Sequence, residues 1–404
     1  MHEITDPEPD ASALSRRLST LITDRIKNSG GKIGFDQFMD MALYAPGLGY
    51  YSAGAHKIGE SGDFITAPEI SPLFSRCIAR QCGQVLGYMQ GSGLMTRERA
   101  DILEVGAGSG VMACNILMEL EQMGTLPAHY YILEISADLR DRQRHMIQKR
   151  VPHLGHHVHW LEHIPEKGFT GIVLANEVLD AMPVHRIHID RKTEQEFFVA
   201  ADNGNFTWSL DALSSQDLQR RIIAIRQILQ YDIGNPGYTT EINLAAERWI
   251  LSIADSMLSG LILILDYGFP QREYYHPQRS EGTIMCHYRH RAHDNPLIHV
   301  GMQDITSHVN FTAIAEAAHD AGLTVSGYTT QGHFLLACGI VEPVDSPELD
   351  NSAQLTMAEI KHAQAIKKLT LPHEMGELFK VIALTRGLDL PLMGFAMKDD
   401  RVRL

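Results

Sequence analysis

The sequence predicts an α/β fold built on a largely parallel sheet, and three observations carry the prediction. Short apolar runs at residues 102–105, 130–135, 171–175 and 260–265 alternate with stretches of helical period. The first two runs bracket a helix whose stripe is Met112, Ile116 and Leu120 and which Gly124 is placed to end, so they close a βαβ unit of about 30 residues. Between the first run and that helix stand Gly106, Gly108 and Gly110, the signature of a tight strand-to-helix turn.

The elements follow in order. Residues 12–28 read as a helix ended by Gly30-Gly31, and residues 35–43 as a second helix stopped before Pro46. A glycine-rich stretch without periodicity runs from residue 46 to residue 70. Ser71 and Pro72 then open a helix as N-cap and first-turn proline, with Phe74, Ile78, Val85 and Met89 on one stripe. After the βαβ unit come a helix at 137–151, a third strand at 158–161 and a buried fourth strand at 171–175. Residues 184–190 and 196–201 alternate like strands, with Asp202-Asn-Gly-Asn205 as a hairpin turn, and 214–231 is helical. A helix at 241–258 precedes the fifth strand, a helix at 312–321 follows, and 324–328 with 334–341 are the expected last antiparallel strands. The remainder reads as a mostly helical tail ending with residues 375–383.

The expected division is therefore residues 1–95 for N-terminal helices and a loop lid, 96–186 with 239–341 for the sheet core, 187–238 for an insertion after the fourth strand, and 342–404 for a helical C-terminal extension. The insertion follows the fourth strand, so it is expected to wall one side of a substrate cleft.

Composition narrows the function. With 404 residues, 44% apolar and 21% charged, the chain can bury a full core of more than one domain. A formal charge of −14 disfavours nucleic acid, whose phosphates need a basic surface. Cys77, Cys82, Cys114, Cys286 and Cys338 are odd in number, scattered and without zinc spacing, so reduced thiols are expected. His153, His156, His157, His159 and His163 cluster, but loop histidines seldom converge on one ion, and no metal is expected. The acidic start shows neither a secretory signal nor an Arg-rich transit pattern, and no apolar run reaches the ~20 residues of a membrane span. The expected compartment is a bacterial-type cytoplasm.

The chemistry centres on Glu104-Val-Gly106-Ala107-Gly108-Ser-Gly110. Glycines supply positive φ and bare backbone, so a ligand can lie against main-chain N–H groups at the mouth of a helix. A dinucleotide fingerprint needs glycine at the sixth position, where this chain has Val111. Glu134, at the end of the second strand, is placed to accept both hydroxyls of a ribose. An acid before the turn, three alternating glycines and a ribose acid suit S-adenosylmethionine better than NAD, and they resemble the first motif of class I methyltransferases. Leu161-Glu162 stands where such enzymes often carry an Asp or a small polar pair for the adenine, which leaves that contact unassigned.

Asn176 and Glu177 fall at the carboxyl end of the fourth strand, where open α/β sheets hold ligands. If Val178-Leu179 begin a helical turn, Glu177 and Asp180 share a face. Two carboxylates there can hold a guanidinium, a delocalised cation with a pKa of about 13.8, and bias its charge onto one nitrogen. The alternative makes Glu177 a cap and Asp180 a structural ion-pair partner. Gly62, Asp63, Phe64 and Thr66 read as a cofactor lid or, alternatively, as a loop that packs Phe64 into the core. The stretch Cys286-His-Tyr-Arg-His-Arg-Ala-His293 reads first as a solvated run and second as a basic face.

Longer phrases sharpen the resemblance. Ser61-Gly-Asp-Phe-Ile-Thr-Ala-Pro-Glu-Ile-Ser71, Leu174-Ala-Asn-Glu-Val-Leu-Asp-Ala-Met-Pro183, Gln303-Asp-Ile-Thr-Ser-His-Val-Asn-Phe311 and Met375-Gly-Glu-Leu-Phe-Lys-Val381 look like the MidA family. The likeness runs from about residue 30 to the end. It implies a Rossmann-like class I methyltransferase sheet, S-adenosyl-L-methionine as cofactor, and a protein arginine as acceptor, on a subunit of respiratory complex I or a related partner, since mitochondrial members are complex I assembly factors. A homodimer is the assembly this admits. The rivals are a small-molecule methyltransferase and an assembly chaperone that binds cofactor without turnover.

Overall fold

A computed structural model describes residues 9–53, 66–91, 100–202, 204–229, 237–342 and 356–404. The chain divides into two compact units, one of Met1–Phe64, Leu179–Arg248 and Pro270–Asn310, the other of Ile65–Val178, Trp249–Phe269 and Phe311–Leu404.

The second unit carries the predicted sheet. Its strands, in chain order, are β1 (Asp101–Val105), β2 (Tyr130–Leu133), β3 (Val158–Leu161), β4 (Phe169–Asn176), β5 (Met257–Phe269), β6 (Thr324–Thr330) and β7 (Phe379–Arg386). Across the sheet they run β6-β7-β5-β4-β1-β2-β3, parallel except at β7, which pairs antiparallel with both β5 and β6. Strands buried on both faces read as unbroken apolar runs, which is why 171–175 and 260–265 were legible. The helices of this unit are α1 (Ala67–Ile70), α2 (Pro72–Gly91), α3 (Val111–Gln122), α4 (Ala137–Arg150), α5 (Phe311–Asp320), α6 (Gln331–Ala337) and α7 (Met357–Thr370). Phe74, Ile78, Val85 and Met89 of α2 are buried as expected, in one core with Met112, Ile116 and Leu120 of α3 and with Ile102, Ile172 and Leu263 of the sheet.

Three expectations change here. Residues 334–341 are not a strand: Thr330 caps α6, its hydroxyl accepting from the His333 amide, and local capping outweighs the apolar run. The tail has its helix, α7, opened by the capping box of Thr356 and Glu359, but of the expected helical end at 375–383, residues 379–383 belong to β7. Seven of the eight residues of Phe379–Arg386 are buried, a burden that a central strand accommodates and an amphipathic helix does not. The helix expected at 241–258 is shorter, Leu244–Ser256, and Tyr238–Ile242 before it is a strand.

The first unit holds helices Pro9–Asn28 and Phe35–Tyr44 and a sheet ordered Lys32–Gly34, Glu194–Asp202, His185–Ile189, Tyr238–Ile242, with Asn205–Asp211 paired to Glu194–Asp202. Residues of the expected insertion thus share a sheet with an N-terminal strand, Lys32 pairing with Ala200. Leu18, Ile22, Phe35, Phe38, Val184 and Val199 share its core. The His- and Arg-rich stretch forms a hairpin edge in which Cys286 and Tyr288 are buried while Arg289, His290 and Arg291 are exposed. All five cysteines are free and buried. Among the described residues no helix is long and apolar enough to cross a membrane.

Candidate active site

Strand order locates the site before any side chain does. From β1 the chain runs outward to β2 and β3, then returns to lay β4 on the other flank of β1. The carboxyl ends of β1 and β4 are therefore a topological switch point, the place where open α/β sheets hold ligands.

The glycine turn stands at the end of β1. Gly106, Gly108 and Gly110 all take positive φ (66°, 54° and 82°), a conformation that costs L side chains free energy. The Gly106 amide donates to the Leu133 carbonyl at 3.0 Å, which ties the turn to β2, and Ala107 is buried beneath it. Gly110 caps α3 in the left-handed conformation. A Cβ on Gly110 would stand 3.2 Å from the Cα of Gln143, a tight contact added to the unfavourable φ. The Ser109 hydroxyl donates to Glu69 of α1.

Two acids flank the turn. Glu104 is 1% exposed; burial raises its carboxyl to about 7, the Tyr130 hydroxyl donating to it at 2.8 Å opposes the rise, and the charge of Glu134 adds to it. Glu134 is buried just past β2. Its carboxylate accepts from the Ser136 amide at 2.9 Å and from Gln143 at 3.1 Å. Burial raises this group too, with those hydrogen bonds opposing.

At the end of β4, Glu177 takes φ 53°, unusual for a residue with a side chain. Its amide donates to the Leu265 carbonyl, and its Oε1 accepts from the Ala67 amide at 3.3 Å and the Asn176 side chain at 3.2 Å. Asn176 and Glu177 are thus brought together, and α1 helps to hold them. No helical turn follows: the chain leaves β4 through bends and a turn closed by Met182 N–H to Leu179 C=O. The helical face that Glu177 and Asp180 were to share is absent, because the left-handed φ at Glu177 turns the backbone away from helical geometry. Asp180 lies in the other unit, buried, its carbonyl accepting from the Ser307 amide, and its charge is among those that raise Tyr51 after the larger effect of burial.

Thr66 precedes α1 in extended conformation; Gly62, Asp63 and Phe64 lie outside the described residues. Glu162 is exposed, and its carboxylate accepts from Arg140 at 2.6 Å. Of the clustered histidines, His153 pairs with Glu121 and His157 with the Ala128 carbonyl. In the first unit Asp36, His185 and Glu196 bring ligand-type atoms within 4.8 Å of one another. There His185 Nδ1 stands 2.8 Å from Glu196 and Nε2 3.7 Å from Asp36, an imidazole between two carboxylates.

Sequence reasoning missed four participants. Tyr130 was assigned only to its strand. Gln143 and Trp160 meet through a 2.9 Å hydrogen bond from the indole to the amide. Asp266, fully buried at β5, accepts from the Val178 amide. The parallel register that sets Leu265 beside Asn176 brings Asp266 to Val178, a pairing that neither Asp266 nor the mid-helix Gln143 announces in the sequence.

The residues present fit S-adenosylmethionine: bare backbone at a helix mouth, a carboxylate for ribose hydroxyls, and a buried acid that a cationic ligand would favour in its charged form. Comparison with known proteins agrees. Residues 77–329 match the model of a family described as "Putative S-adenosyl-L-methionine-dependent methyltransferase". A crystal structure from Burkholderia thailandensis bound to S-adenosyl-homocysteine superposes with a TM-score of 0.89 at 39% identity, each chain covered completely. A native crystal structure from the same organism gives 0.88 at 39% identity, again with complete coverage. The chain is 26% identical over 411 residues to the Drosophila melanogaster "Protein arginine methyltransferase NDUFAF7 homolog, mitochondrial", covering 91% of this chain and 86% of that protein. It is 26% identical over 386 residues to the Mus musculus protein arginine methyltransferase NDUFAF7, covering 88% and 81%.

Proposed function

Because the chain belongs to this family of S-adenosyl-L-methionine-dependent methyltransferases, we propose that the acceptor is the guanidinium of a protein arginine, with Glu177 as the residue that holds it. The observation that carries this is the fixed carboxylate at the end of β4: a backbone bent to φ 53° and two donors on Oε1 hold Glu177 rigidly. The 26% identity to named arginine methyltransferases over most of both chains supports the same acceptor, and the resemblance to the MidA family is what suggests a complex I subunit as the protein that bears it.

In this reading Gly106, Ala107, Gly108 and Gly110 line the cofactor, Glu134 accepts its ribose hydroxyls, and Glu104 opposes its positive charge. Ile135, next to Glu134 and 60% exposed, is an apolar side chain that a nucleobase would cover. When bound, S-adenosylmethionine supplies an electrophilic methyl group on a sulfonium. Glu177 orients the guanidinium, draws its charge toward the carboxylate and leaves one nitrogen facing the methyl, while Asn176 fixes Glu177. No covalent enzyme intermediate is needed: S-adenosylhomocysteine would leave as the neutral thioether, and the proton released from the methylated nitrogen would pass to water.

The test is a pair of variants assayed with labelled cofactor and the lysate of cells lacking this protein. Glu134→Ala is expected to abolish cofactor binding by calorimetry. Glu177→Gln is expected to bind cofactor normally and to label no arginine-bearing protein. Labelling of a small molecule with no protein partner would overturn the acceptor, and undiminished labelling by Glu177→Gln would remove that residue from the mechanism.

A further inference from the structure

The two parts of the proposed cofactor cradle, the turn after β1 and the acid after β2, stand near the indole of Trp160 on β3. Gln143 of α4, with no exposed surface, touches all three. Its Nε2 donates to the Gly108 carbonyl at 3.0 Å and to Glu134 Oε2 at 3.1 Å, and its Oε1 accepts from Trp160 Nε1 at 2.9 Å. The amide orientation is fixed by chemistry. An indole N–H only donates and a carbonyl only accepts, so the oxygen faces Trp160 and both hydrogens of the nitrogen are committed. The backbone of Gln143 also limits Gly110, where any Cβ would press on its Cα, Cγ and Cβ at 3.2–3.4 Å.

We propose that Gln143 is the positioning residue of the cofactor site, holding the Glu134 carboxylate and the Gly108 carbonyl as one preformed cradle and being itself oriented by Trp160. This rests on the cofactor reading of Glu134 and the glycine turn, and adds a residue that touches neither the reacting atoms nor the acceptor. The reason for glutamine is its reach and its two donors. Leucine fills the space and donates nothing; glutamate fills it and can donate only when protonated, setting otherwise a third negative charge near Glu104 and Glu134. Loss of a hydrogen bond to a charged group in a buried place is expected to weaken binding about tenfold or more.

The experiment is calorimetric titration with S-adenosylhomocysteine from pH 6 to pH 8.5, on wild type, E134A, Q143L, Q143E and W160F, with thermal unfolding of each in the absence of ligand. Wild type is expected to vary little with pH. Q143L should bind about tenfold more weakly at every pH. Q143E should lose affinity progressively as pH rises and the introduced carboxyl ionises, a slope that general loosening of the fold does not produce. W160F, which keeps an aromatic ring, should bind about threefold more weakly and serves if the Gln143 variants do not fold. Affinity within twofold of wild type in Q143L and W160F, or a Q143E loss that is flat with pH, overturns the inference. Wild-type affinity in E134A instead overturns the underlying site, so the two failures are distinct.

Discussion

The most discriminating stability experiment concerns Glu104. Its carboxyl stands at about 7 against an ordinary 4.5, and burial is the largest cause. A group raised in the folded state favours folding while protonated and opposes it once ionised. The contribution is therefore fully present below about pH 4.5 and is lost as pH rises through about 7. At 1.36 kcal/mol per pH unit, a rise from 4.5 to about 7 corresponds to about 3 kcal/mol by pH 8. Glu104→Gln removes the ionisation and keeps an oxygen for the Tyr130 hydroxyl. Urea unfolding of the ligand-free protein, followed by circular dichroism at pH 5, 6, 7 and 8, measures it. The variant and wild type should be close at pH 5, and the variant should gain, relative to wild type, about 3 kcal/mol by pH 8. Titration of groups that do not interact with Glu104 cancels in that difference. A difference that stays flat from pH 5 to pH 8 would refute the assignment of a buried, titrating carboxyl. The same ionisation predicts that affinity for the cationic S-adenosylmethionine falls as pH drops below about 7, more steeply than affinity for S-adenosylhomocysteine.

Other outcomes follow from single contacts. Gly110→Ala forces a Cβ into left-handed backbone against Gln143 and should cost about 1–2 kcal/mol in urea unfolding and weaken S-adenosylhomocysteine binding; unchanged affinity would contradict the cradle. Glu119 accepts from both Arg76 and Arg80 at 2.7 and 3.2 Å while almost buried, so Glu119→Gln should destabilise by about 2 kcal/mol, read as a lower unfolding midpoint. Thr356→Ala removes one side of the capping box on α7 and should cost about 1 kcal/mol without altering cofactor binding.

Much of this was legible from residue pattern. The turn at Gly106-Gly108-Gly110 and the buried run at 171–175 are local signals, fixed by backbone freedom and by burial on both faces. Phe379–Arg386 and residues 334–341 were misread because a short apolar run suits a strand or a buried helix equally, and only capping at Thr330 and the gap between β5 and β6 decide between them. The bend at Glu177 was invisible for a similar reason: glutamate carries no preference for positive φ, and the surrounding strands impose it. Gln143 and Asp266 acquire their importance from neighbours brought together across the sheet, which one polar residue in a helix or at a strand end does not announce.

The position of β7 between β5 and β6 bears on biosynthesis. Until that late segment leaves the ribosome, the nascent chain has two hydrophobic strands with open backbone edges facing one another and nothing to bridge them. Translation arrest before residue 379 should yield a species that aggregates or is captured by chaperones, even though every residue of the glycine turn has already been made.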